Sequence, residues 1–119
     1  MVHRVGIIGL GTVGSRFVEQ FNNHGAFELA AAWDADPEAC SLHAGSVNIC
    51  SGADEVIAAS DLVYVAVPPK HHRDYVLSCI AAQTAIFCEK PLGIDLVSSR
   101  ELVDAVERSD LPAGVNFVF

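Results

Sequence analysis

A glycine-rich turn near the start of the chain constrains its fold more than any other feature. The segment 5–10 is mostly apolar and too short for a helix, so it predicts a strand. This run ends in Gly9, Gly11 and Gly14, which have G-x-G-x-x-G spacing and come directly before an amphipathic segment. The first glycine permits a sharp turn, the second lets a pyrophosphate approach the backbone, and the third lets helix and strand pack closely. The turn therefore predicts a dinucleotide-binding βα unit.

The residues around this turn indicate which dinucleotide binds. Thr12 and Val13 would offer backbone N–H groups to a pyrophosphate at the N-terminus of the following helix. Asp34 ends the next predicted strand, twenty residues after Gly14, where a carboxylate accepts hydrogen bonds from ribose hydroxyls. No Arg or Lys lies between Asp34 and Asp61 to neutralise a 2′-phosphate. We therefore expect the chain to bind NAD in preference to NADP.

Composition excludes several classes of function. The net charge is −8, from seven Lys and Arg against fifteen Asp and Glu without a basic cluster, so we expect no nucleic-acid partner. No apolar run approaches the roughly twenty residues that span a membrane, and the N-terminus lacks a signal-peptide pattern, so we expect a cytoplasmic protein. The four cysteines form no C-x-x-C pair, and we expect neither a metal site nor a structural disulfide.

Strands and helices alternate along the whole chain. This pattern predicts one α/β domain over residues 1–119, a doubly wound parallel six-stranded sheet in the order 3-2-1-4-5-6. The segment 46–50 is the weakest of the six strands, because Ser46 and Asn48 interrupt it. The strands are predicted at 3–9, 27–33, 46–50, 61–67, 84–88 and 115–119. The helices are predicted at 12–23, after Asp36, at 54–60, at 71–82, and from Asp95 to about Arg108, the last with Leu96, Leu102, Val103 and Val106 on its apolar side.

The polar motifs of the chain follow the predicted strand ends. The glycine turn and Asp34 come after the first two strands, and the segments 68–72 and 89–91 come after the fourth and fifth. Carboxyl ends of parallel strands lie at one edge of a sheet, and ligands bind there at the switch point of the strand order. The sequence therefore predicts that these motifs form one site.

Two of these segments resemble a known family of oxidoreductases. The segment Val65-Ala66-Val67-Pro68-Pro69-Lys70-His71-His72 resembles the V-A-T-P-P-x-x-H motif of the glucose–fructose oxidoreductase and inositol dehydrogenase family (Gfo/Idh/MocA). Cys88-Glu89-Lys90-Pro91-Leu92 looks like its E-K-P motif, and Val115-Asn116-Phe117 resembles the start of its sixth strand. The chain departs from the pattern at three places: Val67 replaces a Thr, Gln83 replaces a Gly, and Val118 replaces an Arg.

The resemblance implies roles for the residues in these motifs. Lys90 would approach nicotinamide and substrate and act as the catalytic group that takes a hydroxyl proton, whereas from position alone it is a surface lysine. His72 would order the loop beneath the nicotinamide, or simply start a helix. Pro91 stiffens its turn and could hold a cis bond. Glu89 would orient Lys90 or a backbone group, Asn116 would contact nicotinamide or substrate, and Val67 and Pro68 would line the cofactor site.

The resemblance also implies an NAD(P)-dependent oxidoreductase acting on sugars, inositols or related polyols. Family members continue into a second α+β domain that supplies the substrate pocket, and this substrate domain is expected to be absent from the chain. We therefore expect the chain alone to be inactive. Without that domain, apolar residues around 91–94 and 117–119 would be exposed to solvent, and such a surface favours association into a homo-oligomer. Two alternatives share the first motif: a domain of an aspartate- or homoserine-dehydrogenase-like enzyme, and a stand-alone NAD-sensing module.

Overall fold

Strands and helices alternate along residues 2–116, the part of the chain that the computed structural model describes. The strands are β1 (His3–Ile8), β2 (Phe27–Trp33), β3 (Leu62–Val65), β4 (Ala85–Glu89) and β5 (Ala113–Asn116). The helices are α1 (Thr12–Asn23), α2 (Pro37–His43), α3 (Ala53–Ala58), α4 (His72–Ala81), which a short 3-10 turn at Pro69–His71 precedes, and α5 (Leu96–Ser109). The predicted βα alternation is confirmed.

The sheet of the described residues has five parallel strands in the order β2-β1-β3-β4-β5, so the prediction of six strands is wrong. The segment 46–50 forms only one bridge, between Ile49 and Ala32 of β2. The Ala32 N–H donates to the Asn48 carbonyl at 2.9 Å, and the Cys50 N–H donates to the Ala32 carbonyl at 3.0 Å. Ser and Asn have little tendency to form strands, so the ladder does not extend. The bridge nevertheless lies beside β2, where the predicted order placed the third strand.

Side chains alternate between the two faces of the sheet and build a core on each. On one face Ile8, Val65 and Cys88 pack with residues of α3, α4 and α5. On the other face Ile7 and Tyr64 pack with residues of α1. The strands are apolar on both sides because helices lie on both faces, which is the pattern of a buried parallel sheet. The fold is the predicted α/β arrangement.

The starts of α2 and α5 agree with the capping residues predicted from the sequence, whereas part of the predicted apolar side of α5 is exposed. The Asp36 side chain accepts from the Glu38 N–H at 3.0 Å, and that of Asp95 accepts from the Ser98 N–H at 2.8 Å. On α5, Leu102 is buried, but Leu96 is 73% exposed and Val103 is 42% exposed. The prediction that Leu96 and Val103 face the core is wrong, because α5 packs chiefly against α4 and only Leu102 and Val106 of its predicted apolar side join the core.

The loops before β4 and β5 show two further features. Gln83 has φ 56°, in the left-handed region where a glycine is free of strain, and it stands where the resembling family has a glycine. The last strand begins at Ala113, two residues earlier than predicted, and Phe117–Phe119 lie outside the described residues.

Within residues 2–116, no helix combines the length and apolar character needed to cross a membrane.

Candidate cofactor site

The three glycines of the turn between β1 and α1 differ in what surrounds them. Gly9 has φ +104°, and a Cβ there would lie 2.7 Å from the carbonyl carbon of Ala66. A Cβ on Gly14 would lie 1.8 Å from the carbonyl oxygen of Gly9. A Cβ on Gly11 would meet no described atom within 4 Å. Gly9 and Gly14 are therefore required by the packing of the chain itself, whereas the fold does not require a glycine at position 11.

Hydrogen bonds fix the peptide groups of Leu10 in the middle of the turn. The Leu10 N–H donates to Asp34 Oδ2 at 2.6 Å, and Ser15 Oγ donates to the Leu10 carbonyl at 2.8 Å. His43 Nε2, at the end of α2, lies 2.9 Å from Ser15 Oγ. Because that hydroxyl gives its proton to Leu10, the ring nitrogen is the donor in the second bond. Neither Ser15 nor His43 could be predicted as part of the site, since a single Ser and a scattered His carry no recognisable signal.

Asp34 is placed at the end of β2 beside the glycine turn, as the sequence predicted. Its second oxygen, Oδ1, accepts from the Asp36 N–H at 2.8 Å. The Asp34 carbonyl accepts from Cys40 Sγ at 3.2 Å, so α2 also holds this residue. Each carboxylate oxygen has two lone pairs, so both can accept a further hydrogen bond. The half-buried carboxylate is thus oriented by backbone N–H groups and still able to bind a hydroxyl.

Beyond β3 the chain presents a loop whose residues differ in exposure. Val67 is half-buried and Pro68 is exposed, at the same carboxyl edge of the sheet as the glycine turn. His72 begins α4 and is wholly buried, with 0% exposure. Its ring nitrogens face the backbone of two loops, whereas the neighbouring His71 and Lys70 are exposed.

The E-K-P segment begins at Glu89, the last residue of β4, and its first two residues differ in exposure. Lys90 is exposed, and the bond between Lys90 and Pro91 is cis. Glu89 Oε2 accepts from the hydroxyl of Tyr64 on β3 and, at 3.0 Å, from Nδ2 of Asn116 on β5. In the described part of the chain, these two residues rather than Lys90 are the partners of the Glu89 carboxylate.

The three strands β3, β4 and β5 are therefore joined by one side-chain network at their carboxyl ends. Tyr64 is wholly buried, and burial together with the Glu89 carboxylate raises the pKa of its phenol above the ordinary value. The phenol stays protonated and donates to the carboxylate. Glu89 is held in place as an acceptor. The predicted role of Glu89 in orienting Lys90 or a backbone group, and that of Asn116 in contacting nicotinamide or substrate, remain predictions.

This edge of the sheet has the features that a dinucleotide requires. The open space beside Gly11 lets a pyrophosphate approach the backbone. Gly11 is also the N-cap residue of α1, so no side chain caps the first N–H groups of this helix. The first turn of α1 has no acidic residue that would repel phosphate. The predicted role of Asp34 as the acceptor for ribose hydroxyls fits its position beside the turn, because both of its carboxylate oxygens have a lone pair left. The chain's own residues therefore fit such a cofactor.

A family model described as "Oxidoreductase family, NAD-binding Rossmann fold" matches residues 3–117. Inositol 2-dehydrogenase of Cereibacter sphaeroides is 40% identical over 113 residues, which are 90% of this chain and 34% of the relative. Inositol 2-dehydrogenase 3 of Saccharopolyspora erythraea is 35% identical over 111 residues, 88% of this chain and 32% of the relative.

Solved structures share the same fold. A provisional myo-inositol dehydrogenase from Sinorhizobium meliloti superposes with a TM-score of 0.89 at 28% identity, over 98% of this chain and 36% of that structure. The apo scyllo-inositol dehydrogenase of Lactobacillus casei gives a TM-score of 0.86 at 20% identity, over 97% of this chain and 36% of that structure, and shows the likeness of fold alone. The chain thus spans about a third of the length of the relatives it matches.

Proposed function

The chain belongs to the Gfo/Idh/MocA family of oxidoreductases and corresponds to the family's NAD-binding Rossmann domain, and we propose that it binds NAD in preference to NADP. We further propose that the whole enzyme transfers hydride between this cofactor and a sugar, inositol or related polyol. The single observation that carries the proposal is the pairing of Asp34 with the glycine turn, through the 2.6 Å bond from the Leu10 N–H. Relatives named inositol 2-dehydrogenase support the substrate class.

The two halves of a dinucleotide then have separate places. The adenosine half of the site consists of the glycine turn and Asp34, over β1 and β2. The nicotinamide half consists of the loop after β3, with Val67 and Pro68, and the loop after β4, with Lys90. A dinucleotide crosses the switch point between β1 and β3, so a cofactor whose ribose binds Asp34 directs its other nucleotide toward these loops.

The residues of the chain have distinct roles in the proposed reaction. Thr12 and Val13 donate backbone N–H groups to the pyrophosphate, and Asp34 accepts from a ribose hydroxyl. The bound cofactor supplies the nicotinamide that exchanges hydride with the substrate carbon. Lys90 Nζ takes the proton of the substrate hydroxyl, and Asn116 contributes to the same half of the site.

Cofactor titration of the chain tests the proposal. The carboxylate of Asp34, with no Lys or Arg before Asp61, repels a 2′-phosphate, so NAD should bind tighter than NADP by about tenfold to a hundredfold, or about 1.4–2.7 kcal/mol. Calorimetry with both cofactors measures this preference, and Asp34→Ala should abolish it. Asp54→Ala, an exposed acidic residue of α3, is the matched control and should keep the preference. Equal affinity for the two cofactors, or a preference unchanged in Asp34→Ala, contradicts the proposal.

A further inference from the structure

The ring of His72 bridges the two loops that form the nicotinamide half of the site. Nε2 lies 2.7 Å from the carbonyl oxygen of Val67, which follows β3. Nδ1 lies 2.9 Å from the carbonyl oxygen of Leu92, two residues after Lys90. The ring is wholly buried, so it cannot itself touch a ligand at the surface. Its two nitrogens span the space between the loops.

The surroundings of the ring favour a role as hydrogen-bond donor. Cys88 Sγ on β4 lies 3.3 Å from Nδ1, and burial raises the pKa of this thiol to about 12, with Glu89 and Cys79 adding to the shift. The sulfur is therefore a neutral neighbour. A neutral imidazole carries one N–H and a doubly protonated one carries two, and in either state the carbonyl oxygens are acceptors only. Without the ring, the carbonyl oxygens of Val67 and Leu92 lose the N–H groups that face them, one if the imidazole is neutral and two if it is doubly protonated.

From this geometry we propose that His72 is a positioning residue that fixes the Lys90 loop against the loop after β3 and so sets the nicotinamide half of the site. The inference rests on the proposed function, because it gives the two loops a ligand. His72 sits under one half only. The glycine turn is held separately, by Asp34 and Ser15. Loss of the ring should therefore weaken contacts to nicotinamide and leave contacts to adenosine and pyrophosphate unchanged.

The experiment compares two ligands, NAD and ADP-ribose, which lacks the nicotinamide ring. Their affinities for the chain are measured by calorimetry, with folding checked by circular dichroism. His72→Phe keeps a ring but removes both ring nitrogens, so it should lose about tenfold in affinity for NAD and little for ADP-ribose. An Asn amide reaches the place of Nδ1 and a Gln amide the place of Nε2. His72→Asn should therefore keep the bond to Leu92 and retain NAD affinity best, with His72→Gln intermediate.

Val76→Ala is the matched control for a loss of packing. Val76 is wholly buried one turn further along α4, so this variant should be less stable but keep the ratio of the two affinities. If His72→Phe is folded and weakens both ligands equally, or neither, the positioning role is wrong. If the unaltered chain binds NAD and ADP-ribose equally, the loops do not contact nicotinamide and the inference fails, while the adenosine site stands. If the unaltered chain binds neither ligand, the proposed function itself fails.

Discussion

The two halves of the candidate site are built in different ways. In the adenosine half, the residues expected to touch the cofactor belong to the hydrogen-bonded turn itself. Asp34 accepts from the Leu10 N–H at 2.6 Å, and Ser15 Oγ donates to the Leu10 carbonyl. In the nicotinamide half, the fixing groups lie underneath. His72 and Tyr64 are wholly buried, whereas Lys90 above them is exposed.

The apolar surface differs between the halves as well. Close to the Lys90 loop, Ile94 is 68% exposed, Leu96 is 73% exposed and Val97 is 78% exposed. The sequence predicted a bare apolar surface in this region, and the exposure of Ile94 agrees with it. Contiguous exposed apolar side chains mark surfaces that other protein segments cover. The adenosine half is therefore preorganised by the chain itself, whereas in the nicotinamide half the supporting groups are buried and the surface is exposed.

The largest expected effect concerns turnover. If the nicotinamide half is open, the chain should bind NAD but form no detectable NADH with myo-inositol, scyllo-inositol or aldoses. Holding the reacting atoms together in a closed site contributes about 10⁵-fold or more to such reactions, and Lys90 is exposed. Absorbance of NADH provides the assay, with inositol 2-dehydrogenase of Cereibacter sphaeroides as the active control. Appreciable turnover by the chain would show that both halves are complete, and the comparison would collapse.

Alkaline unfolding should reveal the contribution of two buried thiols, Cys79 and Cys88, in the core on one face of the sheet. Burial raises the pKa of the Cys79 and Cys88 thiols to about 12. Since these folded-state values exceed the unfolded ones, their contribution to stability is complete below about pH 9 and is lost as the pH rises toward 12. We expect a loss of roughly 2–4 kcal/mol per thiol over that range, measured by urea unfolding at successive pH values.

Cys79→Ala is the control for this pH dependence. The variant should be less stable at neutral pH because it loses packing, but its stability should fall less steeply above pH 9. An equally steep fall in Cys79→Ala would mean that the buried thiol does not contribute to the alkaline transition.

The glycines of the adenosine half should separate folding from binding. Gly14→Ala places a methyl group 1.8 Å from the Gly9 carbonyl oxygen and should destabilise the fold by about 3 kcal/mol. Gly11→Ala places its methyl group in open space, so the melting temperature should stay unchanged while NAD affinity falls at least about tenfold. Thermal melts and calorimetry on the two variants measure both quantities. Normal NAD binding by Gly11→Ala would show that the turn is only structural.

The smallest effect is expected outside both halves, at Gln83. Its φ of 56° strains a side chain that bears a Cβ, so Gln83→Gly should stabilise the chain by about 0.5–1 kcal/mol and leave NAD affinity unchanged. A melting curve shows the gain. Gln83→Ala provides the comparison, because alanine keeps the Cβ and should gain nothing. Stabilisation by both variants would contradict an origin in backbone strain.

Most of the fold could be predicted because each element carries a local signal. The apolar run before Gly9, the Asp36 cap and the Asp95 cap each act over a few residues, and they place β1, α2 and α5 correctly. The prediction of a third strand at 46–50 was wrong because strand pairing is not visible in the local sequence. A strand exists only if its neighbour pairs with it, and the segment around Ile49 meets β2 at one residue. Likewise, the exposure of Leu96 depends on where α5 crosses α4.

The candidate site divides along the same line. The sequence by itself determined the glycine turn and the position of Asp34, because their spacing follows from backbone geometry within one βαβ unit. The E-K-P segment was identified from its resemblance to the family motif, and it lies at the end of β4. Only the tertiary structure decided that His72 lies between Val67 and Leu92, and that Glu89 is bound by Tyr64 and Asn116. Apart from the bond between His72 and Val67, these contacts join residues that are twenty or more positions apart in the chain. A parallel sheet brings its carboxyl ends together only when the strand order is set.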